Sequence, residues 1–107
     1  MSNAGAMAVL FLAAVLEAGG DALVRKGLHT AALNRAAFLM AGAAVLFLYG
    51  CTVNAPAWDF GRLIGVYVVF FFVVAQIIGW LSFGQVPSVK ILVGGVCIVA
   101  GGVIISS

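Results

Sequence analysis

Charged side chains are scarce in this 107-residue chain. Only 7% of its residues are Asp, Glu, Lys or Arg, whereas soluble globular domains carry about 25%. This scarcity excludes an ordinary water-soluble domain. Five Lys and Arg residues and a formal net charge of +2 are also too few for a basic face that binds nucleic acid. Each acid in such a chain is informative, because an ionisable side chain in lipid usually faces a cavity or a partner and marks a transport path.

Residues that build catalytic and metal sites are also few. Cys51 and Cys97 have no metal-ligand spacing and no nearby base, so we interpret both as small helix-packing residues. The sequence contains no recognisable nucleophile–base pair and no metal cluster. We therefore expect neither an enzyme, nor a metal site, nor a resident cofactor.

Long apolar runs make up most of the chain. Hydrophobic residues account for 65% of it, the mean hydropathy is +1.30, and a membrane-spanning helix needs roughly 20 mostly apolar residues. The runs are continuous rather than alternating, which argues against the strands of a membrane barrel. The predicted spans are residues 6–28, 35–53, 58–83 and 89–106.

The predicted fold class is an all-α membrane protein, a four-transmembrane-helix bundle that forms one domain over residues 1–107. Polar turns with Pro56 and Pro87 separate its later spans, and Ser88 is the expected N-cap of the last one. Residues 1–6 are expected to be partly a cloning remnant, with Met7 as the natural start.

The cations are distributed unequally between the two ends of the predicted bundle. Arg25, Lys26, Arg35 and Lys90 lie near the first and third loops, and only Arg62 lies near the middle loop. The positive-inside rule then places the first and third loops in the cytoplasm and both termini outside. We expect a multi-pass protein of the cell inner or plasma membrane, with the lipid bilayer as its surroundings.

Three ionisable residues form one polar stripe on the first span. Glu17, Asp21 and Arg25 follow one another at intervals of four residues, which places them on one helix face. We expect Arg25 to neutralise Asp21 near the membrane boundary and Glu17 to lie deeper, without a cation in its own helix. A carboxyl there can hold a proton or a cationic substrate but not both, which is a simple basis for exchange. Alternatively, the stripe is a static polar seam that fixes helix packing.

The third span supplies two further candidates. Tyr67 can donate a hydrogen bond to Glu17 or place its ring against a cation, although ordinary packing also accounts for it. Arg62 lies about one turn into the span and is expected to neutralise an acid across the bundle. The predicted proton and substrate site is therefore Glu17, Asp21 and Tyr67, with Arg25 and Arg62 compensating charge.

Glycines are regularly spaced in the fourth span. Gly94 and Gly101 are seven residues apart, and small residues repeated on one face let helices pack closely in lipid. This spacing predicts a dimer interface. Contact with helices of the same chain is the alternative.

These residues together resemble the small multidrug resistance transporters, a family within the drug/metabolite transporter superfamily. The resemblance rests on the segment AAVLEAGGDAL around Glu17, on Gly61, on Phe83-Gly84-Gln85, and on Gly94 with Gly101. It implies a homodimer, often with the two subunits inserted in opposite directions. It further implies that two Glu17 side chains share one cavity, where protons, as the coupling ion, compete with a small cationic or polar substrate.

The sequence also departs from that family. Ile64 and Tyr67 stand where drug exporters carry Tyr and Trp, and Val69 with Phe71 replaces a Gly-x-Gly. These differences favour a substrate that is smaller or more polar than the usual drugs.

Two functions stay open: a proton-coupled antiporter, or a non-transporting accessory subunit. The latter would resemble half of a heteromeric lipid-carrier flippase, with its polar stripe serving assembly.

Overall fold

A computed structural model describes residues 2–107, except for the side chain of Ala32. The described part of the chain is helical and contains no strand. All four helices are long and apolar enough to cross a membrane, which confirms the predicted fold class. They are α1 (Asn3–Leu28), α2 (Ala32–Val53), α3 (Phe60–Phe83) and α4 (Val89–Ser106).

The structure corrects three predicted helix starts. α1 already begins at Asn3, because the hydroxyl of Ser2 accepts a hydrogen bond from the Gly5 N–H at 3.0 Å and caps the helix. α2 begins at Ala32 rather than at residue 35. α3 begins at Phe60 rather than at residue 58, because Asp59 is extended (ψ 138°). Of the expected cloning remnant, Met1 lies outside the described residues.

Local cap chemistry determines the boundaries between α3 and α4. Gly84 adopts a left-handed conformation with φ 65°, and its N–H donates to the Trp80 carbonyl at 3.0 Å. Glycine adopts this conformation without strain, so the helix ends there. The predicted N-cap is confirmed, since the hydroxyl of Ser88 accepts a hydrogen bond from the Ile91 N–H at 3.2 Å.

The helices lie side by side in the order α2–α1–α3–α4, with principal contacts between neighbours in that order. The layer measures 48 × 33 × 18 Å, so the chain forms a slab rather than a closed bundle. α1 is central and buries small residues such as Ala13, Ala14 and Ala18. These small side chains let α3 approach the face of α1 that carries the polar stripe.

α1 and α2 approach each other closely at Gly42. A Cβ atom added to Gly42 would lie 2.6 Å from Cγ2 of Val24 and 3.1 Å from the carbonyl oxygen of Gly20. The second of these is a backbone atom, which cannot move aside without shifting α1. Close backbone approach through small residues is a main source of helix association in lipid.

We predict that Gly42→Ala destabilises the protein by roughly 1–3 kcal/mol, the usual effect of overpacking. Gly50→Ala is the matched control, because it lies in the same helix and its added Cβ meets nothing within 4 Å. Ala also has the higher helix propensity, so the control should be neutral or slightly stabilised. Thermal unfolding of the purified protein in detergent measures both changes. Equal effects of the two substitutions would contradict the close approach at Gly42.

Candidate functional site

Glu17 lies near the middle of its membrane-spanning helix. At 1.5 Å per residue it is roughly 16 Å from the end of α1, about half the thickness of a 30 Å hydrocarbon core. Its side chain is half-buried. At this depth water does not solvate a carboxyl, so its hydrogen-bond partners must come from the protein.

Tyr67 on α3 is that partner. Its hydroxyl donates to Oε1 of Glu17, with an oxygen–oxygen distance of 2.8 Å, and only 4% of the residue is exposed. The same hydroxyl lies 3.3 Å from the backbone carbonyl oxygen of Ala13, one helical turn before Glu17. A phenol has a single proton to donate. Tyr67 therefore has two alternative acceptors on α1.

Tyr49 on α2 belongs to the same cluster, although our sequence reasoning missed it. Its ring centre lies 5.7 Å from that of Tyr67, the residue that bonds Glu17. The ring of Phe71 stacks on the other side, 6.2 Å from Tyr67. The chain has only two Tyr residues. The presence of Tyr49 in an otherwise apolar span was therefore the sequence signal that could have identified it.

Asp21 lies one turn beyond Glu17 and is exposed. It lines an open groove between α1 and α3 with a volume of about 290 Å³, whose walls also include Phe71, Ala75 and Phe83. We call this groove the stripe groove; the ring of Phe71 in its wall stacks against the ring of Tyr67. The structure therefore brings together the three residues predicted to bind protons and substrate, with Glu17 and Tyr67 in direct contact and Asp21 one turn away.

The structure shows Arg25 against an aromatic ring rather than paired with Asp21, and its expected role in compensating the charge of Asp21 stays a prediction. The guanidinium of Arg25 lies over the ring of Phe83 on α3, 5.4 Å from the ring centre. A cation gains from the face of an aromatic ring, and a long basic side chain near a helix end extends toward the membrane boundary. These two effects account for the position of Arg25 at the end of the groove that Asp21 also lines.

Arg62 contacts an aromatic ring and a backbone carbonyl rather than an acid, and its expected role in neutralising an acid across the bundle stays a prediction. Its guanidinium lies 4.7 Å from the ring centre of Trp58 and donates from Nη2 to the carbonyl oxygen of Ser106 at 3.4 Å. The last carbonyls of a helix lack partners within the helix and carry partial negative charge. Arg62 thus links the end of α4 to the start of α3.

The glycines of α4 fall into two sets with different surroundings. A Cβ added to Gly94 or Gly101 meets nothing within 4 Å, whereas one added to Gly95 would lie 2.6 Å from the ring of Phe72, and Gly102 faces Val69. Contact within the chain therefore uses Gly95 and Gly102. Gly94 and Gly101 are on the outer side of α4, and their role in a dimer stays a prediction.

Comparison of the chain with protein-family models, with curated proteins and with solved structures finds no match. The resemblance to small multidrug resistance transporters therefore stays a prediction that rests on the residues named above. Among residues 2–107, no group of three or more His, Cys, Asp and Glu side chains is arranged to hold a metal ion. Near the middle of the described helices, Glu17 shares a hydrogen bond with Tyr67, and Tyr49 packs beside Tyr67.

We predict that Tyr67→Phe changes the hydrogen bonding of Glu17 while leaving the ring packing in place. The carbonyl stretch of the protonated Glu17 carboxyl should shift to higher frequency, because the carboxyl loses its hydrogen bond with the Tyr67 hydroxyl. Difference infrared spectra of wild type and variant, with Glu17→Gln to assign the band, measure this. Tyr49→Phe is the control and should leave the Tyr67 bond intact. An unchanged band in Tyr67→Phe would contradict the hydrogen bond.

Proposed function

We propose that the protein is a proton-coupled antiporter of small cationic or polar compounds, with Glu17 as the shared proton and substrate site. The observation that carries the proposal is the 2.8 Å hydrogen bond from Tyr67 to Glu17, between two helices long and apolar enough to span a membrane. A carboxyl held by a neutral donor can carry a negative charge at this depth and can also be discharged by a proton.

The two acceptors of Tyr67 explain how both states of Glu17 are accommodated. When Glu17 is ionised, it accepts the phenolic proton and can attract a cation. When Glu17 is protonated, it can donate to the phenol oxygen, and Tyr67 turns its own proton toward the Ala13 carbonyl oxygen 3.3 Å away. Every buried donor is then satisfied in both states. An unsatisfied buried donor would destabilise a state by about 1–3 kcal/mol. Exchange of proton for substrate can proceed without repacking the helices.

The stripe groove supports a small cation as the substrate. Its volume of about 290 Å³ suits a compact organic ion, and its wall carries the exposed carboxyl of Asp21, with Arg25 further toward the end of α1. The ring of Phe71 in the wall stacks against Tyr67, and aromatic faces stabilise cations. A cation entering at Asp21 would therefore reach Glu17 along an aromatic surface.

A second copy of the chain is part of this proposal. The slab is 18 Å in its thinnest dimension, and the groove with Asp21 opens on its surface. A carboxyl exposed to hydrocarbon is strongly unfavourable, so we expect another subunit to cover this face. In a homodimer the two copies would enclose a chamber between their Glu17 side chains.

The exposure of Asp21 also favours the second candidate, an accessory subunit in a hetero-oligomer. Donors from a different membrane protein would then satisfy Asp21, and the polar stripe would serve assembly rather than exchange. An accessory subunit of this kind does not require Glu17 to gain or lose a proton.

We predict that Glu17→Gln folds and assembles as wild type does but loses proton-coupled transport by at least roughly tenfold, because the amide can neither ionise nor release a proton. Uptake of a panel of small cations into proteoliposomes under a pH gradient measures this. Asp59→Asn is the matched control, since this acid precedes α3 and is exposed. Normal transport by the Glu17→Gln protein would rule out the shared-site mechanism.

Proton release from the purified protein distinguishes the two candidates. An antiporter should release protons when a cation binds, and Glu17→Gln should abolish that release. The accessory subunit should release none, and Glu17→Gln should instead impair its assembly, measured by size-exclusion chromatography with light scattering.

A further inference from the structure

Basic side chains are concentrated at one end of the slab. α1 and α3 end there and α2 and α4 begin there, which places Arg25, Lys26, Arg35 and Lys90 at the same level. The acid nearest to this end is Asp21. At 1.5 Å per residue it lies roughly 10 Å along the helix axis from the end of α1. This end therefore carries strong positive charge at the depth of the lipid headgroups.

Two of these cations converge on a single aromatic ring. Arg25 Cζ lies 5.4 Å from the centre of the Phe83 ring, and Lys26 Nζ lies 5.8 Å from it. Neither is needed to cap α1, since the backbone N–H of His29 already donates to their carbonyl oxygens at 3.2 and 3.3 Å. Two like charges at one ring repel each other, so the arrangement suits a site that an anion completes.

The converging cations line a groove of about 360 Å³ together with His29, Thr30 and Phe83. We call it the basic groove. A guanidinium offers parallel donors that match phosphate oxygens, Lys26 adds a point charge, and the Thr30 hydroxyl and the His29 ring can each donate a hydrogen bond. This set of donors suits a phosphate group better than a carboxylate, because donors approach from several directions.

The basic groove continues into the stripe groove, with which it shares Arg25 and Phe83. The stripe groove runs deeper between α1 and α3 along apolar residues such as Ala75 and Ile78. A charged head next to an apolar channel matches the shape of a phospholipid.

We propose that the basic groove binds the phosphate of an anionic phospholipid, with its acyl chain along the end of the stripe groove at Phe83 and Ile78, without reaching Asp21. Basic pockets between membrane helices bind anionic headgroups in this manner. A free phosphate ion shares the headgroup chemistry but would leave the apolar channel unfilled. The site is distinct from Glu17 and does not require that the protein transports anything.

Lipid binding by the purified full chain tests the proposal. The protein in neutral detergent is titrated with phosphatidylglycerol or with phosphatidylcholine, and bound lipid is counted by native mass spectrometry. Wild type should bind phosphatidylglycerol in preference. Arg25→Gln combined with Lys26→Gln should weaken that binding by roughly tenfold or more, given about 1 kcal/mol per basic residue near a headgroup.

The matched control combines Arg35→Gln with Lys90→Gln, which removes the same charge from the same end of the protein but outside the groove. We expect the affinity for phosphatidylglycerol to change by less than roughly twofold, because salt screens charges that do not contact the lipid. Phe83→Leu keeps the apolar bulk and should weaken binding moderately. Equal losses in the two double variants, or no lipid preference in wild type, would overturn the site. Displacement of bound phosphatidylglycerol by inorganic phosphate at similar concentration would overturn the lipid assignment and identify a free phosphate ligand.

Discussion

The hydrogen bond between Tyr67 and Glu17 is the interaction on which the arrangement of the helices at the site depends. An acid in the middle of a membrane span needs a donor from another helix, and α3 supplies it at 2.8 Å. That distance fits with the fully buried alanines of α1, Ala13 and Ala14, because small side chains let neighbouring helices pack closely. Replacing them by larger residues would separate the phenol from the carboxyl even though neither polar group had changed.

The interface between α1 and α3 combines two kinds of chemistry at different depths. Near the centre, Glu17 has neutral phenolic partners, which suit a group that changes its charge. Near the end, Arg25 and Lys26 lie against Phe83, an arrangement that suits a permanent anion. Asp21 lies between the two regions, so whatever occupies the stripe groove is exposed to an acid on one side and to cations on the other.

The spans and several caps were predictable from the sequence because they depend on local chemistry. Apolar runs of sufficient length predict spanning helices, and Ser88 caps α4 as its hydroxyl chemistry indicates. The partners of Arg25 and Arg62 were not predictable, since they depend on which helices are neighbours. The helices are apolar on most faces, so the sequence pattern does not predict that they lie side by side in the order α2–α1–α3–α4. For the same reason Tyr49 was missed, whereas Tyr67 was a candidate through its depth in α3.

The hydrogen bond at the centre joins residues 50 positions apart in the chain, and this separation has a consequence for biogenesis. α1 emerges from the ribosome and meets the translocon before α3 has emerged, because synthesis proceeds from the N-terminus. Its apolar residues must therefore suffice to insert a span that carries Glu17 and Asp21 while neither acid has the α3 donor. The hairpin of α1 and α2, held at Gly42, can form first, and arrival of α3 then completes the site. Membrane insertion and site formation are thus separate events in the life of the protein.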